Sequence, residues 1–315
     1  YRTRQIPHPS EVGGNAYSVP EILGEHDMND FLERVEIGKT GLQTSRLGIG
    51  STFDAPTEVI EAAFDRGVNY LYWGSVRQPA FARAMVNLSR QHRDELILTV
   101  QSYSNDPGTI EQEVEEAIKS AGVEDYDFLL LGNRMEVPTG AYIEVFERLR
   151  ERGLVKFLSL SSHNRPYLPK YLAEYAEGRS PYELLMFRYN AVHRGAEKDI
   201  FPFVPEGSRP FMATYTATRW GHLLDPAKMP PGELPLSARD CYRYSLSHPS
   251  VDMVIAGPAN GAQMDEALSA LERGPLDPEE RERIERIGAY LYAEYAPQYP
   301  DAGDAEDVSA GRAAQ

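Results

Sequence analysis

Residues 125–162 read DYDFLLLGNRMEVPTGAYIEVFERLRERGLVKFLSLSS, and this stretch decides the fold. It begins with a short apolar run, Phe128–Asn133, whose length and composition are typical of a buried β-strand. The segment that follows has apolar residues at helical spacing and ends at Gly153. A second apolar run, Lys156–Ser162, comes next. The order strand, helix, strand is the unit from which parallel sheets are built.

The same unit recurs along the chain from Leu47 onward. Short apolar runs alternate with helical segments, mostly at spacings of about 25 to 30 residues, which is typical of βα units. No Gly-x-Gly-x-x-Gly turn follows the first run, so the pattern favours a closed (β/α)8 barrel over a doubly wound sheet. The predicted strands are Leu47–Ser51, Asn69–Trp73, Leu96–Gln101, Phe128–Asn133, Lys156–Ser162, Leu184–Asn190, Phe211–Thr216 and Met253–Gly257.

Helix ends are marked by local signals. Gly67, Gly122 and Gly153 each follow a helical pattern and are predicted to end a helix in the left-handed conformation. Asp277 and Glu280 flank Pro278 in the arrangement of a capping box, which predicts the start of the last helix.

Composition limits the function. The 315 residues carry a formal net charge of -16, which argues against a binder of nucleic acid or of anionic membranes. The single cysteine, Cys241, excludes a disulfide or a cysteine-built metal site within one chain. The sequence has no run of about eighteen apolar residues and no apolar signal segment at its start. We therefore expect a cytoplasmic protein.

Three regions are predicted from these patterns. Residues 1–34 are rich in Pro, Gly and charge and are predicted to be an N-terminal extension. Residues 35–296 are predicted to form the barrel as a single domain. Residues 297–315 are predicted to be an acidic, flexible tail.

The opening of the barrel region carries a family resemblance. Residues 35–42 read VEIGKTGL and residues 45–50 read SRLGIG, and together they resemble the opening hairpin and first barrel strand of the aldo-keto reductase superfamily. The resemblance continues to about residue 290. It implies a single (β/α)8 TIM barrel, an N-terminal hairpin that covers the bottom, and a ligand site at the carboxyl ends of the strands.

The resemblance also identifies the catalytic positions. Those at which the superfamily carries aspartate, tyrosine, lysine and histidine are occupied here by Tyr72, Arg77, Gln101 and Asn133. An arginine stays charged at neutral pH, so Arg77 is suited to bind an anion or to orient a substrate, and it is not suited to donate a proton. Tyr72 is left as the proton donor. Gln101 can hydrogen-bond to Tyr72, and a neutral pair avoids the unpaired buried charge that a lone lysine or aspartate would leave.

The resemblance implies a nicotinamide nucleotide, NADP or NAD, as cofactor. Ser161 matches the serine that binds the nicotinamide carboxamide in the superfamily, and Ser162 replaces the asparagine beside it. Met186 stands where a glutamine completes that set. Tyr215 keeps the aromatic ring that stacks on the nicotinamide.

The nucleotide's other end is implied by residues 255–266, IAGPANGAQMDE, which are similar to the superfamily's phosphate and adenine segment. Asn260, Gln263 and Glu266 fit that role. Ala259 and Asp265 lie where many relatives place a cation for the 2′-phosphate, so the resemblance does not extend to selectivity for NADP.

These observations lead to hypotheses from different classes. The first is a divergent aldo-keto reductase-like oxidoreductase that lacks the usual Asp/Tyr/Lys/His chemistry and binds a small molecule, with an anionic ligand favoured by Arg77. The second is a catalytically inactive binding or regulatory protein with a protein partner, which the loss of all four catalytic residue types favours. The third is a non-redox lyase or isomerase, for which the sequence offers no motif.

Three histidines raise a metal site as a further alternative. His163, His193 and His222 follow predicted strands or lie in their loops, so they could meet at the barrel mouth. No His-x-x-x-His or His-Glu pair on one helix supports that arrangement. We therefore expect no metal.

Overall fold

A computed structural model describes residues 31–134, 138 and 140–295, without the side chains of residues 133 and 134. Within this part, eight parallel strands close into a barrel, because the last strand pairs with the first. An antiparallel hairpin of β1 (Val35–Glu36) and β2 (Gln43–Thr44) precedes them. The barrel strands are β3 (Leu47–Gly50), β4 (Tyr70–Trp73), β5 (Ile97–Ser102), β6 (Tyr126–Arg134), β7 (Val155–Ser162), β8 (Tyr182–Arg188), β9 (Phe211–Tyr215) and β10 (Met253–Ala256).

Helices follow the strands and pack outside the barrel. The connection between β8 and β9 holds only a short helix, and the connection after β9 holds 3-10 turns before its helix. The α-helices are α1 (Thr57–Asp65), α2 (Pro79–His92), α3 (Pro107–Ala121), α4 (Gly140–Glu151), α5 (Leu168–Ala176), α6 (Ala196–Asp199), α7 (Ala238–Leu246), α8 (Gly261–Arg273) and α9 (Pro278–Tyr295).

The predicted helix ends are confirmed. Gly67, Gly122 and Gly153 have φ angles of 101°, 77° and 73°, in the left-handed region that favours glycine. Asp277 accepts a hydrogen bond from the Glu280 N–H at 2.8 Å, and Glu280 accepts one from the Asp277 N–H at 3.1 Å. This is the reciprocal bonding of a capping box.

Two apolar layers hold the barrel. Alternate residues of each strand point inward or outward, so Tyr70 packs in the barrel interior and Leu71 packs against the helices. The interior layer also contains Ile97, Phe128 and Met186. The alternation decides which side chain of each strand end reaches the mouth.

The N-terminal hairpin closes the bottom of the barrel, as predicted. Ile37, in its turn, is fully buried in the interior layer. Glu183, near the start of β8, accepts a hydrogen bond from the Lys39 N–H at 2.8 Å and another from the Tyr175 hydroxyl at 2.6 Å. The hairpin thus covers this end, and (β/α)8 barrels usually carry their ligand site at the carboxyl ends of the strands.

All eight predicted strands are confirmed, with ends that shift by one or two residues. Packing begins earlier than the predicted boundary at residue 35, because Phe31 is buried in the outer layer and lies 4.8 Å below the Arg46 guanidinium. The predicted extension up to residue 30 and the tail from residue 297 lie outside the described residues. Among the helices of the described part, none combines the length and the apolar character that a membrane span requires.

Candidate functional site

Tyr72 and Gln101 form a hydrogen-bonded pair at the mouth of the barrel. Both side chains belong to inward-facing positions of neighbouring strands, β4 and β5. The Tyr72 hydroxyl donates to Oε1 of Gln101. Two glycines leave the space for this pair: a Cβ on Gly132 would overlap Nε2 of Gln101, and a Cβ on Gly74 would lie 3.1 Å from the Tyr72 ring.

The surroundings of Tyr72 make it a weak acid. Burial raises the pKa of its hydroxyl well above 10.0, and the nearby hydroxyls of Tyr103, Tyr70 and Tyr215 raise this pKa further. The hydroxyl of Tyr103 also shares a hydrogen bond with Tyr72, which raises this pKa as well. A proton donor works best with a pKa near the working pH, so Tyr72 is poorly suited to protonate a carbonyl at neutral pH.

Arg77 holds backbone at the rim of the barrel. Its Nε donates to the Gly74 carbonyl and its Nη2 to the Gln101 carbonyl, both at 3.2 Å. Its guanidinium carbon lies 6.0 Å from the centre of the Trp73 ring, which belongs to the outer layer. These contacts tie the connection after β4 to the end of β5. They give Arg77 a structural role that the sequence did not reveal.

Asn133, the remaining catalytic position, lies in β6, and its side chain is outside the described residues. The strand that pairs with β6 is β7, and Ser161 and Ser162 are both buried at the end of β7. Ser161 pairs in register with Met186 of β8. The Ser162 hydroxyl oxygen accepts a hydrogen bond from the Asn164 N–H at 3.0 Å.

Tyr215 and His163 meet at the mouth, an encounter that the sequence analysis missed. The Tyr215 hydroxyl lies 3.1 Å from Nε2 and 3.3 Å from Nδ1 of His163. The two rings are perpendicular, with centres 5.6 Å apart. The sequence pattern suggested His163 only as a candidate metal ligand. Its position directly after the serines of β7 was the available signal for a role at the site.

The predicted nucleotide segment begins α8, and its polar side chains have structural partners. Asn260 caps this helix by accepting the Gln263 N–H at 3.0 Å. Gln263 accepts the Ala259 N–H at 2.8 Å. Glu266 accepts the Ala238 N–H at 3.0 Å, at the start of α7. To bind a nucleotide, each of these side chains would have to give up its hydrogen bond from a backbone N–H.

Asp265 is paired with a cation from another helix end. Its carboxylate lies 2.7 Å from Nη1 of Arg66, which follows α1 and also pairs with Glu272. Asp265 is therefore engaged in an exposed ion pair with Arg66.

The connections after β8 and β9 bring buried cations to the same end of the barrel. Arg188 closes β8 and Arg219 follows β9, and their exposures are only 1% and 2%. Burial lowers the pKa of Arg219, and the nearby charge of Arg188 lowers it further. Arg219 donates to Nε2 of His193 at 3.4 Å and contacts Nδ1 of His222. In the sequence, Arg188 is the charged residue at the end of an otherwise apolar run, and this pattern could have indicated its place at the mouth.

The backbone after β9 is locally strained. Thr216, Arg219 and Trp220 have φ angles of 56°, 49° and 51°, and all three carry a Cβ in the left-handed region. Such conformations cost about 1 to 3 kcal/mol each and concentrate at functional sites. Within residues 31–134, 138 and 140–295, no group of three or more His, Cys, Asp or Glu side chains could hold a metal ion.

The comparisons with known proteins rest on structure. No protein-family model and no curated protein matched the sequence. Among solved structures, the fold matches aldo-keto reductase AKR11C1 from Bacillus halodurans in its holo form, with a TM-score of 0.66 and 20% identity. The apo form of that protein gives 0.64 and 21%. Both matches cover 84% of this chain and 100% of the other.

The fold is therefore a (β/α)8 barrel similar to that of a solved aldo-keto reductase. AKR11C1 is the solved protein to which this chain is similar in both matches. The predicted aldo-keto reductase-like barrel is thereby confirmed at the level of fold.

Proposed function

We propose that this chain is a divergent member of the aldo-keto reductase superfamily that binds a nicotinamide nucleotide at the mouth and lacks the usual Asp/Tyr/Lys/His chemistry. The observation that carries the proposal is the neutral Tyr72–Gln101 hydrogen bond in the place of the charged catalytic pair. A carbonyl substrate there would receive no assistance from a lysine. General acid catalysis contributes about 10² to 10⁴-fold, so reduction of simple aldehydes is slow by about that factor.

Tyr72 and Gln101 make physical sense as a joint replacement of a charged aspartate and a charged lysine. A lone lysine or a lone aspartate would be a buried charge without a partner, which costs several kcal/mol. A tyrosine and a glutamine satisfy each other as neutral groups. The mouth thus keeps its polar lining after losing its acid and base.

The nicotinamide end of a nucleotide fits the residues present. Ser161 and Ser162 offer hydroxyl groups at the end of β7, and the Tyr215 ring lies partly exposed near them, held at its hydroxyl by His163. Hydroxyl groups can bind a carboxamide, and an aromatic ring can stack on a pyridine. Bound there, the nucleotide would supply hydride chemistry.

The residues implied for the phosphate and adenine end of the nucleotide are less suited to bind it. Asn260, Gln263 and Glu266 would have to leave backbone partners to bind the nucleotide. Asp265 would repel a 2′-phosphate, although Arg66 partly neutralises it. We therefore infer weak binding, without preference for NADP over NAD.

The second candidate is a binding or regulatory protein without catalysis. It is favoured by the raised pKa of Tyr72, whose first cause is burial, and by the engagement of Arg77 with backbone carbonyls. A lyase or isomerase at the same mouth has no specific observation in its favour.

Tryptophan fluorescence tests the proposal. The chain has two tryptophans, and Trp220 is exposed on the connection that follows Tyr215. Titration with NADH and NADPH should quench this emission, and Tyr215→Ala should weaken binding by about tenfold, whereas Tyr215→Phe, which keeps the ring, should weaken it less. Absence of binding by either nucleotide would reject the nucleotide proposal and leave the binding protein. Efficient reduction of common aldehydes would reject the loss of the usual chemistry.

A further inference from the structure

The connection that follows β9 is anchored near its start by one buried arginine that contacts two histidines. Arg219 is only 2% exposed, and it donates from Nε to Nε2 of His193 at 3.4 Å and from Nη1 to Nδ1 of His222. A guanidinium has donors and no acceptor, so both imidazole nitrogens must accept. His222 can accept at Nδ1 only while that nitrogen carries no proton. We name this contact the Arg219–His222 latch.

The latch holds a turn whose backbone is strained. Thr216, Arg219 and Trp220 all have φ angles in the left-handed region, which a residue with a Cβ adopts only where surrounding contacts impose it. The Gly221 and His222 N–H groups donate to carbonyls three positions earlier, each at 3.1 Å, so these bonds are local to the turn. The side chain of Arg219, in contrast, ties the turn to the connection after β8 through His193.

The charges around His222 oppose its protonation. Burial lowers the pKa of the His222 imidazole, and the charges of Arg219 and Lys228 lower it further. Asp225 acts in the opposite direction, but its carboxylate is already paired with Lys228 at 2.8 Å. Arg188, at the end of β8, is a second buried cation that acts on Arg219. A proton on His222 would therefore face the Arg219 charge directly and would remove the acceptor of its hydrogen bond.

Helix α9 contributes two tyrosines to these surroundings. The ring centres of Tyr292 and His193 are 6.4 Å apart, and the Lys228 ammonium lies 5.9 Å from the centre of the Tyr295 ring. A tyrosine side chain contains no carboxylate, so these contacts do not offset a positive charge on His222. His222 is partly exposed whereas His193 is only 2% exposed, so protons from solvent have easier access to His222.

We propose that His222 is a proton-operated switch, whose protonation at acidic pH breaks the Arg219–His222 latch and releases the connection after β9 together with Trp220. The step moves one proton from solvent to Nδ1 of His222 and needs no other reactant. A proton shifts a conformational equilibrium only if it binds the two states differently, and here the released His222 no longer contacts Arg219. The inference goes beyond the proposed function and does not depend on nucleotide binding.

The sign of the pH dependence follows from the lowered pKa of His222. The latched state binds the proton more weakly than the released state does. The latch is therefore complete above pH 6.5, the ordinary value for a histidine, and weakens as the pH falls below it.

Hydrogen exchange measured by mass spectrometry on the full chain tests the switch at pH 7 and pH 5.5, with rates corrected for intrinsic exchange. Opening of residues 216–236 should increase by about threefold or more at pH 5.5, because each unit of pKa difference between the two states allows about a tenfold shift. Residues 97–102 of β5 serve as the internal reference and should not change. No increase in residues 216–236, or an equal increase in β5, would overturn the proposal.

Two matched substitutions identify the sensor. His222→Gln keeps a side-chain oxygen that accepts from Arg219 and has no group that titrates in this range, so exchange should be the same at both pH values. His193→Gln retains His222 and should keep the response of the wild type. A full response in His222→Gln, or its loss in His193→Gln alone, would contradict the assignment of His222.

A third substitution tests the arginine, with a control at another buried histidine. Arg219→Met removes the donor and the charge, so the connection should exchange rapidly at both pH values. His248→Phe should leave the response of residues 216–236 unchanged. Circular dichroism checks that each variant is folded, and if Arg219→Met is not, the His222→Gln comparison decides alone. A wild-type response in folded Arg219→Met would show that the latch does not hold the connection.

Discussion

The Tyr72 hydroxyl donates to the side-chain oxygen of Gln101, so two neutral side chains on neighbouring strands bind each other at the mouth of the barrel. They meet because β4 and β5 are adjacent and both side chains face inward near the carboxyl end. The pair is neutral, and the consequences of its lack of charge can be measured.

Gln101→Lys should destabilise the protein, because it places an ammonium group beside a neutral tyrosine at a buried position. We expect a loss of about 3 kcal/mol in the free energy of unfolding. The double variant Tyr72→Asp with Gln101→Lys should recover about 1 kcal/mol or more relative to the sum of the single losses. Urea unfolding of all four proteins gives this coupling, and Gln101→Met controls for the change of shape. Additive losses would show that the two positions do not interact.

Arg77→Ala should lower stability more than it lowers ligand affinity. Its guanidinium donates two hydrogen bonds to backbone carbonyls, and bonds from charged donors contribute about 1.5 to 3 kcal/mol each when buried. Since Arg77 is partly exposed, we expect a loss of about 1 to 3 kcal/mol in total, measured by urea unfolding.

The sequence alone predicted the reverse for Arg77, namely a role in binding an anionic ligand. Phosphate binding by the wild type, measured by calorimetry and lost in Arg77→Ala with an unchanged melting temperature, would restore that prediction. Arg77→Lys keeps the charge and loses the paired donation, so it separates the two roles.

NADPH should bind no more tightly than NADH, because Ala259 offers no charge and Asp265 is held by Arg66. A charge-assisted contact to the 2′-phosphate would contribute about 1.5 to 3 kcal/mol, or about tenfold or more in affinity. Calorimetric titration with both nucleotides measures the difference. Asp265→Asn removes the repelling charge and should favour NADPH. A wild-type preference of about tenfold for NADPH would identify another cation at the site.

Strand periodicity was enough to predict the barrel, because most strands combine an apolar run with a helix that follows at a similar spacing. Alternation along β4 accounts for the inward position of Tyr72, since Leu71 and Trp73 pack in the outer layer. The Tyr72–Gln101 contact was predictable for the same reason. The direction of Tyr72 and its contact with Gln101 depend only on the alternation along β4 and on the pairing of β4 with β5.

The remainder of the site depends on connections between strands. His163 and Tyr215 are 52 positions apart and meet through the loop after β7, whose path the sequence pattern does not specify. Arg77 is directed by backbone carbonyls, which every residue type presents equally. Arg188 is buried, and its charge acts on Arg219 of the connection after β9. Side chains near loop ends therefore have orientations that a linear pattern does not determine.

Stability should fall as the pH is lowered from 7 to 5, because of His248. Its ring stacks on Phe201 with centres 3.8 Å apart, and Nδ1 accepts the Ser250 N–H at 3.2 Å. Burial lowers the pKa of His248 from 6.5 to about 4, with Glu197 opposing this shift and Arg281 adding to it. The unfolded chain therefore binds a proton at a higher pH than the folded protein. This contribution is complete above pH 6.5 and is lost as the pH falls toward 4.

His248→Phe keeps an aromatic ring against Phe201 and removes the titration. The wild type should lose up to about 2 kcal/mol between pH 7 and pH 5 through this group, since each pKa unit corresponds to about 1.4 kcal/mol. The variant begins lower at pH 7, because it loses the bond from Ser250, and should decline less steeply. Urea unfolding at pH 7, 6 and 5 compares the two slopes, with His92→Gln as an exposed-histidine control. Parallel curves for wild type and His248→Phe would show that His248 is protonated in the folded protein, contrary to its burial beside Phe201.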